Sequence, residues 1–184
     1  KVIATGTSEE KLKKTIDRGA SHYDLTHKKD GVSFREEVKE LTDGKGADII
    51  YDPVGDCYTE PALRSINWKG RYLVIGFAAG EIPKIPINLA LLKGMKIVGV
   101  FWGAWVGMFP EENKKNFEEL FKLHSDGKIN PEVSDSFSLD DGAQAIAHLK
   151  DRKAKGKVII KIFLIILCFY TDMCLAIMIT LDYH

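Results

Sequence analysis

Two short stretches of this chain hold residues whose types and spacing suit chemistry. The first is Thr5-Gly6-Thr7-Ser8, with Lys11 three residues further on. Hydroxyls and an ammonium at the end of a strand suit a phosphate group, which an acid in that place would repel. The same residues also read as an ordinary helix cap followed by a solvated lysine, and the local pattern leaves both open. The second is the pair Asp52-Pro53-Val54-Gly55 and Gly76-Phe77-Ala78, each following an apolar run of strand type. In open parallel sheets, ligands sit beyond the carboxyl ends of the strands, so these are the candidate ligand-facing loops. Asp52 has a plainer reading as well, since an acid beside a proline turn commonly hydrogen-bonds the local backbone.

The elements that must position these residues can be read in order. Residues 1–5 predict a strand, and Ser8 or Thr7 caps the helix that follows. Glu9 and Glu10 suit its first turn, Thr7 and Glu10 have capping-box spacing, and Arg18-Gly19 ends it. Residues 21–25 form a weak strand candidate, 26–31 a loop, and Phe34, Val38 and Leu41 mark an amphipathic helix. Ala47–Tyr51 predicts a buried strand. Ala62, Leu63 and Ile66 then share one helix face, Lys69-Gly70 closes that helix, and Arg71–Ile75 is a second buried strand. Two such strands joined by a helix predict a right-handed βαβ crossover. Further on, the two prolines of 81–86 keep that segment extended, and 89–92 predicts a short helix ended by Gly94. Residues 96–101 predict a strand running into an aromatic loop, Phe101-Trp102-Gly103-Ala104-Trp105. Pro110 opens a helix with Phe117, Leu120, Phe121 and His124 on one face. Residues 138–141 cap a last helix with Leu139, Ala143, Ile146 and Ala147 inward, and 156–160 is a last strand. Strands alternating with helices indicate an α/β fold with a mostly parallel sheet.

Bulk properties exclude some functions. Basic and acidic residues balance at 26 each, with no basic stripe, which argues against nucleic-acid binding. Cys57, Cys168 and Cys174 have neither disulfide nor zinc spacing, and a reducing compartment, the cytoplasm or the mitochondrion, fits them. The five histidines are scattered, and no metal ligand set is visible. From Ile162 to Leu181 the chain is nearly all apolar and long enough to span a bilayer. Asp172 near its middle would cost about 2.5–3.5 kcal/mol on insertion. An aberrant chain end is therefore favoured over an anchor.

No G-x-G-x-x-G loop is present. In a dinucleotide fold that loop follows strand one and the ribose-reading residue follows strand two. If residues 1–5 are strand two, the acid-free end Thr5–Ser8 suits a 2′-phosphate. Thr7–Lys11, Arg18–Ala20, Tyr51–Gly55, Gly70–Gly80 and Asp151–Lys157 together resemble the zinc-independent quinone oxidoreductase branch of the medium-chain dehydrogenase/reductases, over residues 1–162. The resemblance implies a Rossmann-type doubly wound sheet lacking its first strand over 1–127, a return segment to a GroES-like catalytic domain over 128–162, and an atypical tail over 163–184. It implies NADP(H) as cofactor, a quinone or enone as substrate, and a homodimer built through edge strands of the full-length protein. An acyl-thioester double bond is the alternative substrate.

By position, the resemblance places Ser8 and Lys11 at the 2′-phosphate. Asp52, Pro53, Val54 and the backbone of Ile75, Gly76, Phe77 and Ala78 would line the ribose and nicotinamide side. Phe101, Trp102 and Gly103 would lie near the nicotinamide, and Arg152 would reach the cofactor from the returning segment. Trp102 and Trp105 read equally well as core or dimer-interface residues. Relatives often carry an adenine-side tyrosine where this chain has Thr26. A third reading is that the chain is a truncated, non-catalytic product, because without strand one the two half-sheets lose their shared neighbour. On that reading, isothermal titration of the isolated 184-residue chain with NADPH should show no micromolar binding.

Overall fold

The computed structural model describes residues 1–25, 31–162, 164–166 and 177–179. The predicted loop at 26–30, Thr26 included, and most of the apolar tail lie outside the described residues. The chain divides into two compact units, Lys1–Lys114 and Lys115–His184.

The first unit opens with β1 (Ile3–Gly6), α1 (Glu9–Asp17) and β2 (His22–Leu25), and the two strands pair in parallel, Ile3 against His22. Ser8 is the N-cap: its hydroxyl accepts from the Lys11 amide at 3.5 Å, so Ser8 takes the cap rather than a Thr7–Glu10 box. Leu12 is buried against Gly6, where a Cβ would come within 3.2 Å of its Cδ2. Helix α2 (Gly31–Leu41) follows, and its end is tied off by Thr42. The Thr42 hydroxyl donates to the Val38 carbonyl at 2.6 Å and accepts from the Gly46 amide at 2.8 Å.

Next come β3 (Ala47–Asp52), α3 (Thr59–Ser65), β4 (Ile66–Val74), α4 (Asn88–Lys93) and β5 (Lys96–Gly99). The three strands form one parallel sheet in the order β3-β4-β5. The crossover is thus present, but its helix is shorter than the apolar spacing suggests. α3 ends at Ser65, whose hydroxyl bonds back to the Pro61 carbonyl at 2.7 Å, and Ile66 is already extended and paired with Ala47. A β-branched residue beside a free strand edge gains more from the ladder than from one further helical turn. The register then jumps from Ala47↔Ile66 to Ile49↔Arg71, so residues 67–70 bulge out of β4. Lys69, not Gly70, takes the left-handed conformation (φ 60°). Gly70 is required for close approach instead: a Cβ there would lie 2.6 Å from Ile66 Cγ1 and 3.1 Å from the Asp48 carbonyl oxygen.

One core serves this sheet. Ala62, Leu63, Ile66, Tyr72, Leu89 and Met95 are buried together, with Phe34, Ile50, Val74, Ile85 and Ala90 packed around them. Lys93 pins α4 to the end of α3, donating to the carbonyls of Arg64 at 2.5 Å and Ile66 at 2.7 Å. Its partial burial, and then the nearby charges of Lys39, Arg35 and Arg64, hold its pKa below the usual lysine value. Among the described residues no hydrogen-bonded pairing joins β1–β2 to β3–β4–β5.

The predicted aromatic loop is a helix, α5 (Trp102–Met108), begun by the Trp105 amide donating to the Phe101 carbonyl at 3.1 Å. Helix α6 (Pro110–Ser125) crosses the boundary between the units, ends before Gly127 (φ 68°), and carries Phe117, Leu120 and Phe121 on an exposed face.

In the second unit, β6 (Val133–Ser138), α7 (Gly142–Lys150) and β7 (Lys157–Lys161) make another parallel crossover. The inward face of α7 is not the apolar stripe of Leu139, Ala143, Ile146 and Ala147, which is exposed; it is Ala145 and the largely covered His148. The His148 ring lies 5.7 Å from that of Phe137, and its Nε2 lies 3.3 Å from Asp135 Oδ2, contacts that only this face can make. The Ser134 hydroxyl, donating to Asp135 at 2.6 Å, together with His148, holds the Asp135 carboxyl below its usual range. Of the tail, β8 (Leu164–Ile166) and β9 (Ile177–Ile179) pair antiparallel. Among the described residues no helix is long and apolar enough to cross a membrane.

Leu63 is fully buried at the centre of the first core. In the full-length protein, Leu63→Ala should lower unfolding stability by about 2–5 kcal/mol, read from the urea midpoint.

Candidate functional site

Parallel pairing sets Asp52 beside Val74 and Val74 beside Gly99, so the carboxyl ends of β3, β4 and β5 lie side by side. The chain leaving each end carries expected site residues: Asp52–Val54, Ile75–Ala78, and Phe101–Gly103. The Val100 amide donates to the Val74 carbonyl at 3.0 Å, extending the alignment past β5. Beyond it Phe101 and Trp102 are 79% and 57% exposed, and Gly103 stands in the first turn of α5.

The first two loops are locked to each other by main chain. The Asp52 carbonyl accepts from the amides of Ile75 at 3.0 Å and Gly76 at 3.4 Å. The Pro53 carbonyl accepts from Ala78 at 3.1 Å, and the Val54 carbonyl from Ala79 at 3.0 Å. Gly55 (φ 72°) permits their contact, since a Cβ there would lie 2.8 Å from Phe77 Cδ1. The result is one ledge made of two loops, with Pro53, Val54, Phe77 and Ala78 exposed along it.

The ledge stands on a buried carboxylate. Asp52 is 8% exposed, and its Oδ1 accepts from the amides of Val54 at 2.8 Å and Gly55 at 3.0 Å. Its Oδ2 accepts from the Thr59 hydroxyl at 3.3 Å and from the Tyr72 hydroxyl. Four donors on one buried charge are what such a group requires, and hydrogen bonds to a charge are worth about 1.5–3 kcal/mol each. The side chain of Asp52 is therefore turned into the protein, as the plainer sequence reading has it, and it serves the ledge from beneath. Tyr72 and Thr59, 3% and 2% exposed, are the residues that the sequence reading passed over. Their signal was available: a tyrosine inside the aliphatic run Arg71–Ile75 must bring its hydroxyl to a partner when buried.

The remaining expected residues stand elsewhere. Ser8 and Lys11 flank the end of β1, in the two-stranded sheet, with the Ser8 hydroxyl engaged in the cap. Arg152 belongs to the second unit, just past α7, with φ 58°. A groove of about 910 Å³ opens between α2, α3 and residues 81–84, but no expected cofactor residue lines it. Its walls mix Arg35, Arg64 and Lys84 with Glu36, Asp56 and Glu81, a balance that selects no ligand charge. Among the described residues no cluster of His, Cys, Asp and Glu could hold a metal.

Burial, and then the hydrogen bond to Asp52, push the Tyr72 phenol above its ordinary value near 10. A raised folded-state value stabilises the fold fully below pH ~10, and that contribution is lost as the pH rises further. Unfolding stability should thus fall above pH ~10, and Tyr72→Phe should remove part of that slope in denaturant titrations.

A zinc-binding dehydrogenase family model matches residues 1–123. The chain is 38% identical over 129 residues to a quinone oxidoreductase-like protein 2 homolog of Nematostella vectensis, covering 70% of this chain and 35% of that protein. It is 33% identical over 162 residues to quinone oxidoreductase-like protein 2 of Mus musculus, covering 88% and 45%. The structure of a mycobacterial protein complexed with NADPH superposes with a TM-score of 0.75 at 26% identity, over 87% of this chain and 49% of that one. The chain thus spans less than half the length of these relatives. With its parallel α/β sheets, its paired loops at the strand ends and these matches, the chain belongs to the quinone oxidoreductase-like medium-chain dehydrogenase/reductase family.

Proposed function

We propose that the protein carrying this chain is an NADPH-dependent reductase of quinones or enones. The observation that carries this reading is the ledge: two interlocked loops at the carboxyl ends of adjacent parallel strands, where such sheets hold ligands. The chain's residues fit a phosphorylated dinucleotide. Residues 5–8 at the end of β1 include no acid, and Ser8 and Lys11 offer a hydroxyl and an ammonium for a 2′-phosphate. Glu9, the residue after Ser8, is paired with Lys13 at 2.9 Å.

In this reading Asp52–Val54 and Ile75–Ala78 hold the ribose and nicotinamide half. Phe101, Trp102 and Gly103 shield the nicotinamide from water. When bound, NADPH supplies the hydride; the protein orients it against the conjugated carbonyl and excludes solvent. Among the described residues no strand pairs with the outer edge of β5, exposed along Lys96–Gly99, which supports a homodimer formed by strand pairing.

In the full-length protein, Lys11→Ala should raise the NADPH KM roughly 10–100-fold, the loss of one hydrogen bond to a charge, and leave the NADH KM unchanged. An unchanged NADPH KM would remove the 2′-phosphate assignment. Turnover of 1,4-naphthoquinone above that of crotonyl-CoA supports the quinone reading; the reverse order makes the enzyme an acyl-thioester reductase.

A further inference from the structure

The hydrogen bonds beneath the ledge form a chain of dependence. The second loop takes its shape from the first through the carbonyls of Asp52, Pro53 and Val54. The first takes its shape from the Asp52 carboxylate, which gathers the amides of Val54 and Gly55 on one oxygen. The other oxygen is held by two hydroxyls from different elements, Tyr72 on β4 and Thr59 at the start of α3. Those two hydroxyls also lie 3.2 Å apart, so the three side chains close a triangle with little access to solvent.

We propose that Tyr72 is a positioning residue for the nicotinamide half of the cofactor, acting through Asp52, with Thr59 as its auxiliary donor. This rests on the dinucleotide reading given above. A phenyl ring in place of the phenol would fill the same volume in the core of Ala62, Leu63 and Ile66, so packing does not require the hydroxyl. What the hydroxyl adds is direction. Without it, Oδ2 keeps only the Thr59 contact in a site too dry for water to replace the missing donor, and the carboxylate can rotate away from the loop amides. Both loops would then loosen together, because the carbonyls that hold the amides of Ile75, Gly76, Ala78 and Ala79 all belong to the first. Ser8 and Lys11 lie at the start of α1, which follows β1 of the other sheet.

The test compares two ligands in the full-length protein. Tyr72→Phe should weaken NADPH about tenfold while adenosine 2′,5′-bisphosphate, which lacks both the nicotinamide and its ribose, binds within about twofold of the unaltered protein. Without ligand, amide exchange should quicken at Val54, Gly55 and Ile75–Ala79 and stay unchanged at Leu12 and Val38. Equal losses for both ligands, or none for either, would overturn the proposal, as would unchanged exchange in the two loops. If Tyr72→Phe does not fold, Thr59→Val must show the same split to a smaller degree; failure of both to fold would assign the triangle to stability alone and end the proposal. If the unaltered protein binds no NADPH, the cofactor reading falls, and the exchange pattern still decides the role of Tyr72.

Discussion

A carboxylate taken out of water must be surrounded by donors, and Asp52 organises the first unit by meeting that demand. Its four donors come from the turn after β3, the start of α3 and the carboxyl-terminal part of β4. Each donor is a constraint on where its element lies. The turn must fold back over the carboxylate, α3 must begin within reach of it, and Tyr72 must face inward beside it. Leaving a buried charge short of a partner costs several kcal/mol, so these elements have one arrangement rather than several. The same residue's carbonyl then captures the amides of Ile75 and Gly76. One aspartate therefore connects the core to the exposed ledge of the two loops.

The sheet around this point is built for neighbours on both sides. Each strand of β3-β4-β5 runs in the same direction, and the outer edges of β3 and β5 have no strand partner among the described residues. Ile49 and Tyr51 on β3, and Ile97 and Val98 on β5, are exposed beside those edges. Parallel sheets are ordinarily covered on both faces, and free apolar edges invite pairing. The second unit shows the same economy at smaller scale. One face of α7 is covered through Ala145 and His148, while Ile146 and Leu149 stay exposed.

Much of this was legible from residue order. Apolar runs and glycine punctuation mark β3, β4, β5 and their parallel class, because the period of side chains and the stop signals are local properties. Ser8 announces its cap, and Gly19, Gly94 and Gly127 adopt the left-handed conformation where helices end. The errors fall where tertiary contacts outweigh local preference. Ile66 joins a strand because Ala47 is there to pair with it, and α7 turns a histidine inward because Asp135 and Phe137 await it. Residues 102–105 turn helical through a local bond instead, from the Trp105 amide to the Phe101 carbonyl. β6 escaped notice because its mixed run Val133–Ser138 lacks the apolar signal of a buried strand.

The candidate site divides in the same way. By itself the sequence determined that two loops follow adjacent strands, that a proline and glycines shape them, and that an acid stands at the first loop's base. Those facts depend on residue type and spacing alone. Only the tertiary structure decided that the acid faces inward, that the carbonyls of one loop hold the amides of the other, and that Tyr72 and Thr59 meet beneath them. Asp52 and Tyr72 are twenty residues apart in the chain and in contact across β3 and β4. A bond of that kind exists once strand pairing has set the register, and no local pattern encodes it.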